Sequence, residues 1–118
     1  MTKTLVFAAM VEILTGLALV LAPTLVGSAL LGQDLVGLAV VVGRVAGIAL
    51  VAFGVACWPG PPLLGMVIYG AGVAFYLALV GFSGGMTGPA LWPAVGLHVI
   101  LTILLARDWI GESLAGPR

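Results

Sequence analysis

The sequence predicts an all-α integral membrane protein, a single domain over 1–118 built as a four-helix bundle in up-down-up-down order. Three observations carry that expectation. Of 118 residues, 63% are hydrophobic and only 7% charged, against roughly 45–50% and about 25% in soluble domains. Mean hydropathy is +1.33. The apolar residues also fall into four runs, each near the roughly 20 residues that cross a hydrocarbon core of ~30 Å, with glycine- and proline-rich segments between them.

The first span is expected over 4–22. Lys3 ahead of an apolar stretch resembles a secretory signal. The run is nevertheless as long as a full span, carries Glu12 inside it, and meets Pro23 where a small-residue cleavage site would be needed, so it is read as a retained transmembrane helix. Pro23 stops it. Residues 24–33, with Gly27, Ser28 and Gly32 among aliphatics, suit a connection in the interface with room for a short helix. Asp34 is placed to cap the next span.

The second span is expected over 35–58, a nearly unbroken apolar run holding one arginine, Arg44. Pro59-Gly60-Pro61-Pro62 permits neither helix nor strand and forms a tight hairpin. The third span follows over 63–82. An uncharged loop, 83–89, leads to the fourth span over 90–106, where Pro93 is tolerated in the first turn. The tail from 107 onward reads as polar, with Trp109 at the headgroup level, and Trp58 and Trp92 as further interfacial anchors.

Four spans put both termini on one side. Lys3, Arg107 and Arg118 flank that side and the outer loops hold no Lys or Arg, so the positive-inside rule makes both termini cytoplasmic. Net charge is zero and the basic residues are scattered, which leaves no patch for nucleic acid. Membrane lipids, and either another membrane subunit or the chain itself, are the expected partners. One histidine and one cysteine supply neither a two-histidine haem site nor a protein-only zinc site. Glycine-rich phosphate loops and serine-histidine-acid sets are absent from the sequence. No enzyme, catalytic residue, metal or cofactor is therefore expected, and Cys57 reads as a small apolar residue near a helix end.

The polar residues inside the spans remain to be placed. From the rise per residue, Arg44 sits about 13 Å from the outer end of the second span and Glu12 about 12 Å from the inner end of the first. Across ~30 Å these depths nearly coincide, so a buried Glu12–Arg44 ion pair is expected. His98 in the fourth span and Tyr76 in the third fall near the same level. Thr15 and Thr102 lie one turn from Glu12 and His98 on the same faces, and Tyr69 extends the Tyr76 face. Gly43 and Gly47 form a small-xxx-small pair beside Arg44, with Gly16, Gly65 and Gly72 on the neighbouring spans, as close helix packing in lipid requires. Each polar group also has a purely structural reading: a register-fixing pair for Glu12 and Arg44, interhelical hydrogen bonding for His98, packing for the tyrosines.

The segments EILTGLALVLAP, GRVAGIALVAFGVACW and LHVILTILLAR together resemble those of bacterial four-helix membrane families of the DoxX-like and DUF4345-like kind. That resemblance implies a four-helix bundle in the bacterial cytoplasmic membrane and carries no site residue with it. The expected function is a small accessory or assembly subunit, or a homo-oligomer, with a Glu-Arg-His-Tyr polar layer. The alternative is a small proton-coupled transporter, or a lipid- or quinone-binding protein, using that layer.

Overall fold

The computed structural model describes residues 3–84 and 86–116; Arg118 and Gly85 lie outside them. Among the described residues the chain is all helical, with α1 Lys3–Leu21, α2 Pro23–Leu31, α3 Leu38–Cys57, α4 Pro62–Ser83 and α5 Leu91–Ala115. All but α2 are long and apolar enough to cross a membrane.

Proline sets most of the boundaries. Ala22, forced out of the helical region by the proline after it, sits at φ −143° and ψ 64° and separates α1 from α2. Pro23 then occupies the start of α2, where its missing N–H costs nothing. Gly32, left-handed at φ 75°, closes α2 and donates its N–H to the Ser28 carbonyl. Trp58 is likewise pushed into extended backbone by Pro59, ending α3. Pro62 opens α4, and Pro93 lies in the first turn of α5.

Two expectations need correction. Asp34 does not cap the second span. That helix starts at Leu38 from Gly37, whose φ of 58° and ψ of −127° break the chain's path, and no side chain caps it. The first connection, by contrast, holds the short helix for which its sequence left room, the nine-residue α2. The fourth spanning helix runs past 106 to Ala115, because no proline or left-handed residue intervenes before Gly116, at φ 79°. At about 1.5 Å per residue its 25 residues exceed a core of ~30 Å, so Arg107, Asp108 and Glu112 continue the helix beyond the apolar run.

The chain divides into two compact units, Met1–Gly65 and Met66–Arg118. In the first, α1 and α3 meet backbone to backbone. A Cβ added at Gly16 would lie 2.5 Å from the Gly47 carbonyl oxygen, and one at Gly47 would lie 2.6 Å from the Gly16 oxygen. The contact continues where Gly54 faces Ala9 and Ile13, so rising numbers along α1 meet falling numbers along α3. Gly65, in the first turn of α4, lies equally close to Ala52 and Ala56. Without water to drive association, such contacts gain their energy from dispersion at short range, which small residues, glycine above all, permit.

Leu35 holds the connection to that pair. Its side chain fills the space over Gly27 of α2, 2.7 Å from where a Cβ would stand, and over Gly43 of α3 at 3.1 Å. The Thr24 hydroxyl donates to the Leu35 carbonyl at 3.1 Å. Loop, α2 and α3 are thereby fastened at one residue.

In the second unit α4 and α5 meet through side chains on glycine. Thr102 Oγ1 occupies the space a Cβ at Gly70 would take, and the Trp92 ring covers Gly81. Phe82 meets Trp92 edge to face with ring centroids 5.0 Å apart. Among the described residues the buried apolar side chains are few and small: Ala9 and Ala52 in the first unit, Val73 and Ala74 in the second. The large ones, Phe7, Leu14, Phe53, Phe75 and Ile100 among them, point outward. That is the surface a protein dissolved in hydrocarbon presents.

Candidate functional site

Glu12, Thr15 and Arg44 belong to the first unit; Tyr69, Tyr76, His98 and Thr102 belong to the second. All seven are half-buried.

Arg44 does not meet Glu12. Its Nε donates to the carbonyl of Val20 at 3.1 Å, and among the described residues neither Arg44 nor Glu12 has an ion-pair partner. Register explains the outcome. The Gly16–Gly47 crossing brings Arg44 opposite Val20, eight residues and so about 12 Å along α1 from Glu12. Depth counted from helix ends had placed them level, but glycine contacts fix how far two helices slide, and the α2 connection leaves that slide free.

The bond has its own logic. Val20 is in the last turn of α1, where carbonyls lack intrahelical donors. Pro23 has no N–H for Leu19, and among the described residues no backbone N–H reaches Val20 O. A guanidinium there satisfies an orphaned acceptor and places positive charge at the negative end of the helix dipole. Arg44 thus acts as a cap on another helix.

In the second unit, His98 Nδ1 lies 2.8 Å from the Ala94 carbonyl one turn back. A carbonyl only accepts, so Nδ1 carries a proton, and in the neutral ring Nε2 keeps its lone pair. Thr102 Oγ1 donates to the His98 carbonyl at 2.6 Å. The imidazole meets Tyr69, edge to face with centroids 6.0 Å apart. Tyr76, seven residues along the same face of α4, makes no ring contact or hydrogen bond among the described residues.

One feature was not legible in the sequence as a site. A wide-mouthed groove of about 530 Å³ opens between the end of α1, the start of α2 and the start of α3. Arg44, Asp34 and Ser28 give it polar walls, and Leu21, Leu25 and Val40 apolar ones. The signals were the Gln33-Asp34 pair and a single arginine one turn and a half inside the next helix; only a folded α2 brings them to one cavity.

Comparison with protein-family profiles, with curated proteins and with solved structures finds no match.

Proposed function

We propose that this chain is a non-enzymatic four-span membrane protein, up-down-up-down with both termini cytoplasmic, that assembles with a second copy of itself or serves as an accessory subunit in a membrane complex. The observation that supports this reading is Glu12. A carboxyl within a spanning helix costs about 3 kcal/mol or more in hydrocarbon unless it finds a partner. Glu12 is half-buried in α1, and no described residue pairs with it. A hydrogen-bond donor from a neighbouring chain would offset that cost, and polar side chains on facing helices are a recognised link between membrane helices.

Native mass spectrometry of protein released from its own membrane in polymer nanodiscs tests the reading. Wild type should carry a second chain in fixed stoichiometry, Glu12→Gln should keep it, and Glu12→Leu should weaken it about tenfold, the loss of one hydrogen bond to a charged group. A wild-type chain that emerges alone overturns the proposal.

The same carboxyl favours a second reading, a small proton-coupled transporter. There Glu12→Gln abolishes proton-linked flux in liposomes, the substitution that assembly tolerates.

A further inference from the structure

We infer that the groove at the α1–α2–α3 junction is a binding site for a phosphate ester bearing a primary ammonium two carbons away, the headgroup chemistry of phosphatidylethanolamine. The inference is independent of what Glu12 meets.

The groove carries one charge of each sign. Arg44 uses only Nε on Val20, so the N–H groups on its two terminal nitrogens have no partner among the described residues. Those nitrogens form the flat fork that matches two phosphate oxygens. Asp34 lines the same groove, is exposed, and has no hydrogen bond or ion pair of its own. Both charges therefore face one cavity without neutralising each other. A lone anion would gain from Arg44 and be repelled by Asp34; a lone cation would meet the reverse. A zwitterion satisfies both.

The walls are built to hold that spacing. Asp34 immediately precedes Leu35, whose carbonyl is tied to Thr24 and whose side chain is seated on Gly27 and Gly43. Arg44 is fixed in turn by the end of α1. Ser28 adds a hydroxyl-bearing side chain to the same lining.

Depth and polarity select a lipid over a soluble ester. Arg44 lies about 9 Å inside the first residue of α3 and opposite the last turn of α1, where a spanning helix reaches headgroups. Leu21, Leu25 and Val40 suit the glycerol and upper acyl carbons better than they suit water.

Purified full-length chain in mild detergent, given equal amounts of phosphatidylethanolamine, phosphatidylglycerol and phosphatidylcholine, is read by native mass spectrometry. Wild type should retain the ethanolamine lipid about tenfold over each of the others. Phosphatidylglycerol lacks the cation for Asp34, and the quaternary ammonium of phosphatidylcholine has no N–H to donate. Asp34→Asn, at an exposed position with no bond to lose, should invert the preference toward phosphatidylglycerol, and Arg44→Gln should lower retention of all three. Soluble phosphoethanolamine at millimolar level is the last arm: displacement of the lipid identifies the free ester as a sufficient ligand, and failure to displace identifies the lipid, with the chemistry of the site the same. Equal retention of the three lipids by wild type, or an unchanged preference in Asp34→Asn, overturns the inference.

Discussion

The two units treat their polar groups in opposite ways. In the first, the side chain of one helix is used on the backbone of another: Arg44 of α3 closes on Val20 of α1. In the second, His98 and Thr102 of α5 both bond carbonyls of their own helix, at Ala94 and His98, and they meet α4 through the contact of the His98 ring with Tyr69 and the seat of Thr102 on Gly70. Backbone contact differs likewise. Carbonyls lie against glycines at Gly16 and Gly47, whereas a side chain lies against glycine at Gly70 and Gly81. A backbone cannot retreat and a side chain can, so the α1–α3 pair should be the less tolerant of change.

The sharpest way to break that contrast is Gly47→Val. Its Cβ would stand 2.6 Å from the Gly16 carbonyl and 2.9 Å from Leu19 Cβ, so the helices must separate. We expect a loss of about 3 kcal/mol, at the upper end of overpacking costs, measured by reversible unfolding in mixed micelles. Gly96→Val, at a helical glycine of α5 with nothing within 4 Å, is the control and should cost well under 1 kcal/mol by the usual scale of surface changes. Equal effects would erase the distinction between the units.

Next in size is Arg44→Leu. It removes a charged hydrogen bond and leaves the Val20 carbonyl unsatisfied, which should cost about 2 kcal/mol in the same assay. Arg44→Lys should recover only part of that, because an ammonium has no Nε at mid-chain from which to reach sideways. Full recovery by lysine would show that charge at the end of α1, and not the directed bond, is what matters.

The smallest effect is expected at Thr102→Val. The hydroxyl bonds a carbonyl of its own helix, and such bonds in membranes average well under 1 kcal/mol, so the loss should be about 0.5 kcal/mol or less, with the ring contact of His98 to Tyr69 retained in tyrosine fluorescence. A loss as large as that of Arg44→Leu would place α5's polar groups on the same footing as α3's.

How much of this was legible follows from where each signal resides. Pro23, the 59–62 proline cluster and Pro93 act within their own few residues, so helix count and most ends could be read directly. Asp34 was misplaced as a cap because the break at Gly37 is a backbone event that an exposed acid three residues earlier does not announce. The ion pair between Glu12 and Arg44 required the slide of one helix along another, and slide is decided by Gly16 and Gly47, which in the sequence look like any other glycines of a membrane helix. His98 and its tyrosine were a closer case. Both tyrosines share a face, and side chains lean along their helix toward its start, so rise per residue alone could not choose Tyr69 over Tyr76.

The guanidinium that reaches Val20 comes from 24 residues further along the chain. During synthesis the first span therefore emerges well before its capping partner, and until α3 follows, the Val20 carbonyl is left to water and headgroups at the membrane surface. The stretch from α1 to α3, α2 included, is thus the smallest portion of this chain that carries both that acceptor and its side-chain donor. The end of α1 should therefore become fixed only once α3 is in place beside it.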